Sequence, residues 1–237
     1  PKGNLAHQGN NWAAAGNTNY GWIAAGQSPS TNHMTSINRI DYSSDTGTTL
    51  RGNTDNYHRI GTAGNLSYGY WAGGGNPKTS RTVRLDYSND TVWGTTKGPL
   101  NASKYNVMGA GNANYGYFAG GSTGVPINDP SVVDRLDYAN DTATMSPRGP
   151  LSGARMNDDA ATANGSYGYF APGPSGQPNK RSIDRVDFSN DTATASPRGN
   201  ILNDADGRMG ISPLENGLPS KLPVSYTHLT LPTNREV

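Results

Sequence analysis

Four arginine–aspartate pairs with the same spacing are the residues of this sequence best suited to chemistry: Arg39 and Asp41, Arg84 and Asp86, Arg135 and Asp137, Arg185 and Asp187. In an extended strand, residues two apart share a face, so each pair presents a cation beside an anion. Gathered in one ring, the pairs would hold a polar or ionic ligand. Placed at blade edges or between repeating units, they would be a structural network, and their recurrence at equivalent positions favours that reading. The other reactive types are sparse. Glutamate occurs only at Glu215 and Glu236, beyond the recurring region. Glycoside hydrolysis usually requires two carboxylates in separate roles, and most Asp residues recur where a turn or an ion pair accounts for them. Asp158 and Asp159 recur in no other unit and read as a solvated bend. His7, His33, His58 and His228 occupy unrelated positions, no Cys is present, and no pair has the spacing of a zinc site. No Gly-x-Ser-x-Gly elbow appears. Oxygen ligands gather at the Asn-Asp turns, but each turn offers too few carboxylates to hold calcium by itself. Asn89, Asn140 and Asn190 each open an Asn-x-Thr acceptor pattern. The expectation is no catalytic residue, no cofactor and no resident metal.

The elements that position these residues are repeats. One block reads GNTNYGWIAAG at 16–26, GNLSYGYWAGG at 64–74, GNANYGYFAGG at 111–121 and ANGSYGYFAPG at 163–173, in steps of 48, 47 and 52 residues. A second block follows each first one: RIDYSSDT at 39–46, RLDYSNDT at 84–91, RLDYANDT at 135–142 and RVDFSNDT at 185–192. Between the blocks, stretches 27–36, 75–81, 122–131 and 174–182 vary in length and identity. A constant scaffold with variable loops is how repeat proteins present a binding face. The candidate contact residues in these loops are Gln27, Asn32, His33, Asn76, Lys78, Asn128, Asp129, Gln177, Asn179 and Lys180.

Each unit contains four short strand candidates. In the third they fall at 105–110, 115–119, 132–138 and 142–145, with Asn-rich turns at 111–114 and 140–141. Four strands per unit of this length match a propeller blade. The order of features is an aromatic strand, a double glycine, a variable loop, a strand ending in Asp-Tyr, a turn and then Pro-Arg. This order resembles the kelch repeat over residues 10–200. Gly73-Gly74 and Gly120-Gly121 match the family's double glycine, and Tyr87 and Trp93 lie near the places of its Tyr and Trp. The outer units depart from it, with Ala25-Gly26 and Pro172-Gly173, and Thr144 and Thr194 stand where Trp is expected. Residues 43–49 are similar to the Asp-box turn of sialidase-type propellers, a structural turn remote from chemistry in that family. The wording of the repeat also resembles environmental and phage structural proteins.

Composition fits this picture. Leu, Ile, Val and Phe number 13, 8, 9 and 3 of 237 residues, few for a globular chain. The net charge of +1 does not fit charge-driven disorder, and Ala, Tyr and Trp at fixed spacing supply the apolar surface. No basic block suggests a nucleic-acid partner, and no apolar run is long enough to span a membrane. The predicted class is therefore all-β: four complete four-stranded blades, at about 10–50, 56–98, 104–149 and 154–199, within a propeller region 1–205. A fifth unit starts at 206–217, because 199–217 align with 98–116 at a constant offset of 101. Residues 218–237 match no blade, resemble a translated sequencing adapter, and are expected to be a non-native or disordered tail. An open or incomplete propeller follows. The expected function is a non-enzymatic binding or structural repeat protein that meets a protein or glycan partner, in a surface adhesin or virion fibre and hence at an extracellular or virion surface. The alternative is a propeller-scaffold enzyme such as a glycosidase or oxidase.

Overall fold

The computed structural model describes residues 4–5, 9–24, 26–28, 34–45, 48–53, 58–75, 77–91, 94–124, 131–155, 160–172 and 181–201. Among the described residues, sixteen strands form four antiparallel sheets of four. The first blade comprises β1 (Ala13–Gly16), β2 (Tyr20–Ala24), β3 (Ser36–Asp41) and β4 (Thr49–Asn53). The second comprises β5 (Gly61–Gly64), β6 (Tyr68–Ala72), β7 (Thr82–Asp86) and β8 (Thr95–Lys97). The third comprises β9 (Met108–Gly111), β10 (Tyr115–Ala119), β11 (Val133–Asp137) and β12 (Ser146–Arg148). The fourth comprises β13 (Ala160–Ala163), β14 (Tyr167–Ala171), β15 (Ser182–Asp187) and β16 (Ser196–Asn200). Within each blade the strands pair in sequence order, as a meander.

Asparagine makes the first hairpin of every blade. The Asn112 side chain accepts from the backbone N–H of Asn114 and of Tyr115, both at 2.9 Å. Asn17, Asn65 and Asn164 repeat this bond pair. The side chain thus replaces a backbone acceptor and sets the register in which Tyr117 faces Ala110.

The first strands of neighbouring blades lie against one another, β1 beside β5, β5 beside β9 and β9 beside β13. This explains why these strands are built from Gly, Ala and Thr, with Met108 of β9 as the exception. A Cβ on Gly109 would lie 2.1 Å from the Thr62 carbonyl oxygen of the second blade. The core is consequently layered between blades. Trp22 and Ile37 meet Trp71 and Leu85 in the first layer. Tyr70 and Leu100 meet Phe118 and Leu136 in the second, and Tyr117 and Val133 meet Phe170 and Val186 in the third.

The double glycine also has a steric cause. Gly73 and Gly74 have φ of 76° and 126°, and Gly120 and Gly121 have φ of 64° and 90°, values that side chains rarely tolerate. The chain entering the third blade runs close by: a Cβ on Gly73 would stand 2.8 Å from the Lys104 carbonyl oxygen.

One element departs from expectation. The fourth strand of the third blade is 146–148, not 142–145. A 3-10 turn at Tyr138–Asn140 continues into Asp141 and Thr142, whose backbone turns toward the second blade; Gly98 N–H donates to the Asp141 carbonyl at 2.8 Å. Pro147 sits in the strand after it. Proline is tolerated there because β12 is an edge strand.

Candidate functional site

The recurring charged residues converge between the blades. Arg39, Arg84, Arg135 and Arg185 each lie over the first tyrosine of the neighbouring strand, with the guanidinium carbon 4.4, 4.3, 4.4 and 4.3 Å from the ring centres of Tyr20, Tyr68, Tyr115 and Tyr167. That cation–π contact aims each arginine out of its own blade. Its anion is not the aspartate two residues later. Arg84 reaches Asp141 of the next blade at 2.8 Å, Arg39 reaches Asp90 at 3.1 Å, and Arg135 reaches Asp191 at 2.7 Å.

Each of these three aspartates gathers a hydrogen-bond donor and a second cation from the preceding blade. Asp141 accepts from the Tyr70 hydroxyl at 2.9 Å and pairs with Lys97 at 3.0 Å. Asp191 accepts from Tyr117 at 2.9 Å and lies 3.4 Å from Arg148 Nε. Asp90 accepts from the Trp22 indole N–H at 2.8 Å and lies 3.6 Å from Arg51 Nε. Trp and Tyr exchange at this position because each places one donor at the tip of an aromatic body.

The ring just before the turn completes the contact. Tyr87 stacks on Trp22 at 3.9 Å and 4°, Tyr138 on Tyr70 at 5.0 Å and 8°, and Phe188 on Tyr117 at 4.5 Å and 12°. Its other side lies over the glycine of its own Tyr-Gly-Tyr. A Cβ on Gly116 would come 3.1 Å from the Tyr138 hydroxyl.

Asp86, Asp137 and Asp187 have a different role from the arginines that precede them. Each carboxylate accepts from the backbone N–H two residues on, at 2.9 Å, and caps the turn. Asp41 does the same with Ser43 at 2.9 Å. Sequence reasoning read Asp90, Asp141 and Asp191 as recurring turn or ion-pair residues and named no partner for them. Their presence in every copy was the available signal, but their partners stand 51 to 57 residues away in another unit.

Two ion pairs escaped sequence reasoning altogether. Lys104, in the connection between β8 and β9, pairs with Asp134 at 3.0 Å, and both side chains are all but inaccessible to solvent, at 2% and 1%. Arg155, between β12 and β13, pairs with Asp184 at 3.0 Å, and Ser152 Oγ donates to the same carboxylate at 2.6 Å. The second blade carries buried Val83 at the equivalent position.

Of the loop residues expected to meet a partner, Gln27 and Lys78 are described. Gln27 exchanges backbone hydrogen bonds with Asn10 at 2.9 Å each way. The Lys78 ammonium donates to the Thr123 carbonyl in the loop of the next blade. Asn32, His33, Asn76, Asn128, Asp129, Gln177, Asn179 and Lys180 lie outside the described residues, as do Asp158 and Asp159. His58 is the one histidine among the described residues; it is buried, and its carbonyl accepts from Gly75 N–H at 3.0 Å. Among the described residues no three His, Cys, Asp or Glu side chains cluster as a metal site.

The electrostatics fix the protonation states of this contact. Burial, and then the bond to Asp141, pushes the Tyr70 hydroxyl well above the ordinary phenol range, so it remains a donor at neutral pH. Tyr117 behaves alike through burial and Asp191. At Asp141, burial acts to raise the carboxyl, but bonds from Lys97 and Tyr70 and the charge of Arg84 outweigh it and hold it below 3.8. A depressed folded-state pKa contributes stability that is complete above the unfolded value and disappears as pH falls through the folded one. Asp141→Asn removes this contribution. The stability difference between wild type and variant, measured by urea unfolding, is therefore expected to stay constant from about pH 7 to about pH 5 and to shrink below that. A difference that grows on acidification would contradict the assignment.

Four meandering four-stranded sheets, packed face to face with their first strands together, define a β-propeller. The solved structure titled "Structure of YjhT" is similar to this chain, with a TM-score of 0.67 and 10% sequence identity, over 85% of this chain and 69% of that one. No known family profile matches the sequence, and no curated protein matches it.

Proposed function

We propose that this chain is a non-enzymatic binding or structural repeat protein of the kelch-like type, which presents its variable inter-strand loops to a protein or glycan partner in a surface adhesin or virion fibre. One observation carries the reading: the recurring arginines of the first three blades, and the aspartates they reach, are engaged in fastening one blade to the next. The residues with chemical potential thus support the scaffold, and what differs between units is the loops. Fold alone selects no function, because propellers host both binding and catalysis.

The test is a glycan array and a panel of purified surface proteins probed with the intact chain, alongside chromogenic glycosides. Saturable binding to one class of glycan or protein is the expected result. Exchanging residues 174–182 for residues 75–81 should weaken it at least ten-fold while the melting curve is kept. Turnover of a glycoside without saturable binding would overturn the reading in favour of a glycosidase.

A further inference from the structure

In a four-stranded meander the loop between the second and third strands lies at the end where the fourth strand leaves, so the variable loops share one end of the blades with the connections that join them. Isolated bridges tie the two together at His58–Gly75 and Tyr105–Ser122. The connection into the third blade is held from both sides. Lys104 N–H donates to the Thr79 carbonyl at 3.2 Å, and its own carbonyl accepts from Gly74 N–H at 2.9 Å. Tyr105 N–H donates to the Ser122 carbonyl at 3.1 Å and its carbonyl accepts from Ser122 N–H at 2.7 Å. The Lys104 side chain is anchored inside the blade on Asp134, so the connection is fixed from below as well. Lys78 then crosses the seam to the Thr123 carbonyl. The loops of the second and third blades thus form one surface, with Tyr105 between them.

That surface is basic. Stretches 58–60, 74–81, 98–107 and 120–124, which build it, contain Arg59, Lys78, Arg81 and Lys104 and no acidic residue. Lys104 is buried against its aspartate, and Arg81 donates to Thr96 Oγ1 at 2.6 Å. Arg59 and Lys78 are exposed.

Arg59 stands where the backbone does not favour it. Asn11, Arg59 and Asn106 each lie two residues before the first strand of a blade, with φ of 55°, 60° and 55°. Asparagine enters the left-handed region readily, whereas a long side chain is uncommon there. The turn therefore accounts for the two asparagines and not for the arginine. Asn106 N–H fixes this turn by donating to the Arg59 carbonyl at 2.8 Å. The Arg59 guanidinium carbon lies 6.0 Å from the centre of the Tyr105 ring. The loop of the second blade comes close beside it: a Cβ on Gly75 would stand 3.5 Å from both Tyr105 Cβ and His58 Nε2. Two cations are held on one surface before any ligand arrives, which lowers the ordering cost of binding.

We propose that this seam binds an anionic polysaccharide, with Arg59 and Lys78 taking its carboxylate or sulfate groups and the Ser80 and Thr123 hydroxyls taking its hydroxyls. The inference rests on the reading of the variable loops as a recognition face and names the class of ligand they take. An acidic peptide suits the surface less well, because protein partners are anchored by large buried side chains in pockets. Among the described residues of these stretches, the exposed side chains are Arg59, Pro77, Lys78, Asn101, Ala102 and Ser103, and none is aromatic or a large aliphatic group.

Calorimetry on the intact chain tests this, with polygalacturonate and dextran sulfate as probes and neutral dextran and polyglutamate for comparison. Both anionic polysaccharides should bind saturably and more weakly as salt is raised, and neutral dextran should not bind. Arg59→Asn installs the residue that the other two turns carry, and Lys78→Gln removes the second charge. Each should weaken binding about ten-fold with an unchanged melting curve. Arg198→Gln removes an exposed charge from β16 of the fourth blade and should leave binding as it was. Polyglutamate bound as tightly as the polysaccharides would make the seam a site for acidic peptides and overturn the assignment. Equal losses in all three variants would mean unspecific attraction and overturn it too. A neutral glycan or a protein bound equally well by wild type, Arg59→Asn and Lys78→Gln would sink this inference and leave the recognition role of the loops standing. Failure of every glycan and protein to bind would remove that role along with it.

Discussion

Asp141→Ala is expected to lower the stability of the chain by about 3–5 kcal/mol, the cost of leaving buried charges without their counter-ion. The substitution strands three donors at once. Arg84 and Lys97 are left facing each other, and the Tyr70 hydroxyl loses its acceptor. Against a typical stability of about 5–15 kcal/mol this is a large fraction. It corresponds to a fall of roughly 10 °C in melting temperature for a chain of this size. Asp137→Ala is the informative comparison. It removes one turn cap, at a cost of about 1 kcal/mol. Melting curves for the two variants rank the carboxylates. Equal costs, or a larger cost at Asp137, would mean that the ion-pair network is not what joins the second blade to the third.

Gly149→Ala is expected to be nearly as damaging, by about 3 kcal/mol, toward the upper end for overpacked interiors. The added methyl would sit 1.9 Å from the Ala193 carbonyl oxygen, and this obstacle is backbone, not the end of a flexible side chain. The fourth blade must move away, which also lengthens the Gly149 N–H to Asp191 carbonyl bond of 2.9 Å. Gly165→Ala is the control, since no atom of the described residues lies within 4 Å of its missing Cβ and it should stay within about 0.5 kcal/mol of wild type. Chemical denaturation of the two variants decides the matter, and a benign Gly149→Ala would contradict the close approach of the third and fourth blades.

Much of this architecture is legible without coordinates, for a physical reason. A repeat writes the same local problem several times, so Asn17, Asn65, Asn112 and Asn164 announce a hairpin that a single copy would not. Alternation likewise identifies Arg84 and Arg135 as residues sharing one face of their strands. What alternation cannot supply is a partner on another strand of another unit. Arg84 stands two residues from Asp86 and 57 from Asp141, and only the packing of blades shows that the nearer carboxylate is occupied with a backbone N–H. The placement of the fourth strand failed similarly. Thr142 to Met145 has the composition of an edge strand, but its backbone is committed to the neighbouring blade, where Met145 N–H donates to the Pro99 carbonyl at 2.9 Å. Lys104 and Asp134 gave no sign because a cation in a connection and an anion in a strand share no period.

The small residues of the innermost strands have a geometric consequence. Blades touch backbone to backbone along β1, β5, β9 and β13, while farther out they are spaced by the thickness of stacked rings. Each blade is therefore a wedge, and the angle of the wedge is set by the difference in side-chain bulk between its two ends. Curvature in this protein is a quantity written in residue size. Enlarging the inner residues would flatten the arc and admit more units per turn, and thinning the outer stacks would do the same.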